Sequence, residues 1–168
     1  MPVLRLMLLP MRVKVQPRAS LERAARDARY AVFSAQTLAN DVLLTGQHRD
    51  DQAETLLFRL LRGAGVRGLS GMPQQRRVGQ GTLIRPLLAV TRAELERYAQ
   101  AHSLSWIEDP SNQDRQFSRN YLRHQVMPAL RERWPQAQAN MARSAAHLRD
   151  AQGLLDELAQ MDLAQAGT

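Results

Sequence analysis

An apolar run, Val42-Leu43-Leu44-Thr45, is followed after Gly46-Gln47 by His48-Arg49-Asp50-Asp51-Gln52-Ala53-Glu54-Thr55. The first segment reads as a buried strand. The second opens an amphipathic helix with Ala53, Leu56, Leu57, Leu60 and Leu61 on its apolar face. A strand that delivers the chain straight into a helix points to the α/β class. In open sheets of that class, ligands bind outside the carboxyl ends of the strands, where the next helix begins. Here that edge carries a histidine, an amide and three carboxylates within seven residues. So much acid beside a helix N-terminus suits divalent-metal or proton chemistry.

A plainer reading of the same residues is that Asp50 or Asp51 caps the helix and Glu54 completes a capping box, for about 0.5–2 kcal/mol. A cap needs one aspartate, however, and leaves His48, the second aspartate and Gln52 unexplained. On a helix Asp51 and Glu54 stand three apart, so both can converge on one ligand.

The chain has 168 residues, 44% of them hydrophobic, enough to bury a core in one domain or one and a fraction. Its net charge of +7 comes almost wholly from arginine, since Lys14 is the only lysine. Arginine holds phosphate bidentately and stacks on bases, which makes RNA a natural partner; a GC-rich genome would give the same bias. With no cysteine there are no disulfides and no thiolate metal sites. Residues 4–9 are apolar but too short to span a membrane, and Pro10 ends the run. They read as the remnant of an element whose partner lies upstream, with Met1, Met7 and Met11 as alternative starts. The composition fits a cytoplasmic protein without a membrane partner.

Along the chain, Arg12–Val15 alternates like a strand, and Ser20 caps a helix from Leu21 to about Leu38. Arg23, Arg26 and Arg29 form one basic stripe on it; a solvated face is the alternative. Arg62 to Gly71 is glycine-punctuated and expected to turn across the site. Pro73 to Gly81, with Arg76 and Arg77, reads as a basic loop or hairpin, and Thr82-Leu83-Ile84 as a short strand. Thr91 caps a helix from Arg92 to about His102, with Glu94 in a capping-box position. Ser105-Trp106-Ile107 reads as a last strand, followed by Glu108-Asp109-Pro110-Ser111-Asn112, a loop or an ordinary Asx turn. Arg119, Asn120 and Arg123 open a long helix that Trp134-Pro135 ends. Gln136 to about Ala159 is again helical.

Taken together these segments resemble the tRNA(Ile)-lysidine synthetases, a family of PP-loop ATP pyrophosphatases. The resemblance is carried by the H-x-x-D-D-Q-x-E-T string of residues 48–55. It extends to residues 22–30, Arg62-Gly63-Ala64-Gly65, Gly68–Met72, Arg85–Leu88, Trp106–Asn112 and Arg119–Arg123, in the same order. It covers about residues 11–135. One departure is large. The family's Ser-Gly-Gly-x-Asp-Ser loop, whose backbone amides grip the ATP phosphates, has no counterpart here. The chain therefore reads as a lysidine synthetase without its N-terminal part.

The resemblance implies a Rossmann-like PP-loop domain, incomplete at its start, over residues 1–125. Residues 126–168 would be a linker helix and the start of a helical substrate-binding domain. It implies ATP and Mg²⁺ as cofactors, and tRNA(Ile) and free L-lysine as substrates; a homodimer is compatible with the sequence. It further implies Asp51, Asp50 and Arg119 as catalytic residues, and His48, Gln52, Arg26 and Arg29 as nucleotide ligands. Asp51 and Glu54 would be metal ligands, with Arg62, Arg67, Arg76, Arg77 and Arg123 on tRNA. Without the loop the chain is expected to be inactive alone; a non-catalytic tRNA-binding remnant or a truncated product is the alternative.

Overall fold

The computed structural model describes residues 21–167, apart from the Glu22 side chain. The apolar run of residues 4–9, the strand expected over 12–15 and the Ser20 cap lie outside the described residues. The described chain is mixed α/β and divides into two units, residues 21–43 with 76–83 and residues 44–75 with 84–167.

The first unit begins with α1, Leu21–Gln36. The helix stops short of Leu38 because Thr37 bonds back through Oγ1 to the Phe33 carbonyl (2.6 Å) and Asn40 takes a left-handed φ of 69°. Three short strands follow in the chain, β1 (Val42–Leu44), β2 (Gln75–Val78) and β3 (Gly81–Ile84), forming a sheet of order β1-β3-β2. The segment 73–81, open between loop and hairpin in sequence, is a hairpin closed by Gly79-Gln80. A two-residue turn of this kind favours positive φ at its first position, and Gly79 has φ 53°. A Cβ there would stand 2.3 Å from the Ser34 carbonyl oxygen, so only glycine lets the turn lie against the end of α1. Val78 and Leu83 form the buried centre. The expectation of a buried strand at 42–45 is corrected. Val42 and Leu44 are 56% and 64% exposed, because β1 is an edge strand that pairs only with β3 among the described residues.

The second unit is built around α2, Arg49–Leu60. Its buried residues are Gln52, Ala53, Glu54, Thr55 and Leu56, while Leu60 and Leu61 are exposed, so the apolar face is shorter than the periodicity suggests. The glycine-punctuated segment contains a one-turn helix, α3 (Val66–Leu69). Arginines claim the carbonyls of the loop that follows. Arg59 reaches Gly68 and Gly71 (2.6 and 3.0 Å), Arg149 reaches Ser70 and Met72 (both 3.0 Å), and Arg85 reaches Pro73 (2.8 Å). Buried carbonyls need such partners, and the guanidinium fork supplies several at once.

Helix α4 (Arg92–Ala101) starts at the expected capping box, with the Glu94 amide donating to Thr91 Oγ1 and the Thr91 amide donating to Glu94. The strand expected at 105–107 is absent. Those residues are irregular, with Trp106 54% and Ile107 97% exposed, and no strand lies beside them among the described residues to complete a ladder. Asp109 then closes an Asx turn onto the Ser111 amide (2.9 Å) at the head of a 3₁₀ turn, Pro110–Gln113.

The helix expected after Arg119 is present but interrupted. Helix α5 (Ser118–Tyr121) passes into a π turn (Leu122–Val126) and then α6 (Met127–Arg133). The Met127 amide reaches back to the Leu122 carbonyl, five residues away. Pro128 explains the widening, since it has no N–H to give the His124 carbonyl. Trp134, before Pro135, leaves the helical region as expected. Helix α7 (Ala137–Ala166) packs along α2 and α3 through small residues, Ala145 being fully buried.

Candidate active site

The first two turns of α2 and the π turn after α5 bring Asp51, Glu54 and Arg123 together within the second unit. Arg123 donates through Nε to Glu54 Oε1 (2.8 Å) and through one terminal nitrogen to Glu54 Oε2 (2.9 Å) and Asp51 Oδ1 (3.0 Å). Asp51 and Glu54, expected from their three-residue spacing to converge on a ligand, both meet the Arg123 guanidinium of the chain itself. Arg119 comes from the same helical stretch and donates to Thr55 Oγ1 (2.8 Å).

Asp51 also does part of the plainer work. Its Oδ2 accepts the His48 amide (3.0 Å), so the box at this N-terminus runs between His48 and Asp51. The expectation that Glu54 completes it is corrected; Glu54 is 2% exposed and bound to Arg123.

The His48 ring lies between the two aspartates, Nδ1 3.6 Å from Asp50 Oδ2 and Nε2 3.4 Å from Asp51 Oδ2. Asp50 is held from outside the motif by the Arg92 amide (2.9 Å) and by Gln138 of α7 (2.9 Å). Sequence spacing gives no sign of Gln138, which stands 88 residues from its partner. A cavity of about 310 Å³ opens here, lined by His48, Asp50, Glu54, Arg123, His124 and Gln138 among others. His124 is tied to the 3₁₀ turn through the Asn112 carbonyl (2.9 Å), and the buried amide of Asn120 holds Ser111 and Asp114.

The electrostatics follow from burial and pairing. Burial disfavours a charged His48, but the bond to Asp50 and the charges of both aspartates outweigh it and raise its pKa. Burial opposes ionisation of Asp50 as well; His48, the Arg92 amide and Gln138 more than compensate and lower it to about 2. For Glu54 burial wins over Arg123, and its pKa is raised.

The other sequence-predicted residues are placed elsewhere. Gln52 is buried on the opposite side of its helix turn, its amide closing two bonds with the Met72 backbone (2.9 and 2.7 Å). Arg62 lies over the Phe58 ring and Arg67 is exposed beside Ser70; neither lines the cavity. Arg26, Arg29, Arg76 and Arg77 belong to the first unit. The residues as arranged do not fit a resident Mg²⁺ ion. Arg123 already neutralises Asp51 and Glu54, and no group of three His, Cys, Asp or Glu gathers as ligands among the described residues.

An acidic motif at the end of a strand, answered by arginines from a later helix, defines a class. A PP-loop domain model matches residues 4–130, and the chain belongs to that family. Several curated relatives share a name. The chain is 83% identical over 155 residues to the tRNA(Ile)-lysidine synthase of Pseudomonas fluorescens, covering 92% of this chain and 35% of the relative. The like-named protein of Pseudomonas putida is 68% identical, with 92% and 36% covered. That of Coxiella burnetii is 52% identical over 151 residues, with 90% and 34% covered. The chain thus spans about a third of the length of these relatives. Among the described residues no helix is long and apolar enough to cross a membrane.

Proposed function

We propose that this chain carries the acid–arginine half of a tRNA(Ile)-lysidine synthase active centre. One observation carries the reading: His48, Asp50, Asp51 and Glu54 are gathered with Arg123 around one cavity, in a chain 83% identical to a protein of that name. In the proposed reaction the C2 oxygen of a tRNA(Ile) cytidine attacks the α-phosphate of ATP and pyrophosphate leaves. The ε-amine of free lysine then attacks C2, and AMP leaves with the oxygen.

Two demands fall on the protein. Charge developing on the phosphates must be opposed, and the lysine ammonium must lose a proton before it attacks. Arg119 and Arg123 are assigned the first. Asp51 is assigned to the adenylation step as the leading catalytic carboxylate, and a carboxylate or histidine near the amine is assigned the second demand. Asp50 acts in support by orienting His48, which we place against the nucleotide. Arg26 and Arg29 remain assigned to the nucleotide side. Gln52 serves the site indirectly, by anchoring Met72. ATP is the proposed nucleotide, and no step is routed through Mg²⁺. Residues up to about 125 are assigned to this chemistry, and those beyond to the approach of tRNA(Ile).

A second reading, tRNA binding without catalysis, is favoured by the net charge of +7, which comes almost wholly from arginine. The two are separated by a chimera in which this chain replaces the matching residues of the Pseudomonas fluorescens relative. Lysidine in tRNA(Ile) recovered from the chimera is the expected result. An inactive but folded chimera that still binds tRNA would favour the second reading.

A further inference from the structure

We infer that Gln138, in the first turn of α7, is a positioning residue for His48: it fixes the plane of the Asp50 carboxylate, and that carboxylate fixes the ring. Its effect on rate rests on the proposed function. The geometry behind it lies wholly within the second unit.

The Asp50 carboxylate is held at both oxygens by donors from two different elements. Gln138 Nε2 donates to Oδ1 (2.9 Å), and the backbone amide of Arg92, the first residue of α4, donates to Oδ2 (2.9 Å). The torsion that turns a carboxylate about its own axis is soft, so one donor leaves it free to swing and a second stops it. Oδ2 is also the atom that faces the His48 ring, 3.6 Å from Nδ1. That nitrogen is buried and makes no other hydrogen bond among the described residues. The partner of one ring nitrogen decides where the imidazole proton sits and how the ring is turned. Turning Asp50 therefore turns His48, and Gln138 is what stops Asp50 from turning.

A glutamine can do this only if its helix is held in register. Gln138, Ala145 and Arg149 fall on one face of α7 by helical spacing. Ala145 is fully buried, and Arg149 donates to the Ser70 and Met72 carbonyls (both 3.0 Å). Met72 is bonded in turn, through its amide and its carbonyl, to Gln52 in the first turns of α2. Helix α7 is thus tied to the acidic motif on both sides of Ala145, directly at Asp50 and through Met72 at Gln52. Gln138 lines the cavity beside His48 and Asp50, but its donor is already engaged, so it acts through Asp50.

Two measurements test this. Gln138→Met keeps the length of the side chain and removes the donor, whereas Gln138→Lys keeps a donor for Asp50. In the chimera with the Pseudomonas fluorescens relative, Gln138→Met is expected to lower kcat about tenfold or more with the KM for tRNA unchanged, and Gln138→Lys to stay within about threefold of the parent. In the full chain with isotope-labelled histidine, Gln138→Met is expected to move the His48 ring resonances, identified by their loss in His48→Gln. Those of His102 and His147 should stay in place. Gln152→Met, on the same helix but bonded only to Asp156, should leave the His48 signals where they are. An unchanged kcat in Gln138→Met, equal losses for Gln138→Met and Gln138→Lys, or unmoved His48 resonances would overturn the positioning role. If the resonances move as expected but the parent chimera forms no lysidine, the placement of His48 stands and the lysidine reading falls.

Discussion

Arg123 holds Glu54 with two near-parallel bonds, Nε to Oε1 at 2.8 Å and a terminal nitrogen to Oε2 at 2.9 Å, across 69 residues of chain. Glu54 is 2% exposed, while Arg123 keeps a quarter of its side chain accessible. Bidentate geometry fixes the position of the helix that supplies Arg123 relative to the helix that supplies Glu54. Asp51 shares the same guanidinium, so the catalytic assignment and the stability of the second unit depend on one side chain.

Removing that cation exposes the cost of the buried acid. Arg123→Met is expected to destabilise the chain by about 3–5 kcal/mol, because buried Glu54 loses its bidentate partner and Asp51 its ion pair. Glu54→Gln added to it should restore part of the loss. Urea denaturation gives both numbers, and a loss below about 1 kcal/mol for the single variant would contradict the pairing.

Stability should depend on pH in two windows. Asp50 has a folded pKa of about 2 against an ordinary 3.8, so its contribution is full above about pH 4 and is lost as pH falls toward 2. By linkage that contribution is about 2 kcal/mol. His48 has a raised pKa, so its contribution is full below the ordinary value of 6.5 and is lost as pH rises through the folded value. Gln138→Leu removes one of the bonds that lowers Asp50 and should move the acid limb upward. An acid limb unchanged by Gln138→Leu would mean that Asp50 is not held from α7.

Glycine is required at one turn and dispensable at another. Gly79→Ala would place a Cβ 2.3 Å from the Ser34 carbonyl oxygen at a φ of 53°, whereas a Cβ on Gly46 meets nothing within 4 Å. The first variant is expected to lose well over 1 kcal/mol and the second to stay within about 0.5 kcal/mol. Thermal melts of the two side by side decide it, and equal stability would contradict the seating of the hairpin on α1.

Much of the local structure was legible because its causes are local. The Thr91–Glu94 box, the helix opened by residues 48–55 and the helix stop at Trp134-Pro135 each follow from neighbours in sequence. The misread elements depend on distant partners. Ser105-Trp106-Ile107 has the composition of a strand, but a strand needs a neighbour, and none of the described segments pairs with it. Leu60 and Leu61 continue a helical period without meeting a surface that covers them. At the site, Asp51, Glu54 and His48 were read from their spacing, and their convergence on Arg123 was not. Gln138 and the arginines on the 68–73 carbonyls were invisible for the same reason: a hydrogen bond across 77 or 88 residues leaves no periodicity.

Whether Asp51 belongs to the reacting centre is decided by tRNA-dependent pyrophosphate release from the chimera. Release by the chimera is expected, together with its loss on Asp51→Ala with folding retained. Undiminished release by Asp51→Ala would show that the acidic cluster only supports the fold, and the assignment would fall.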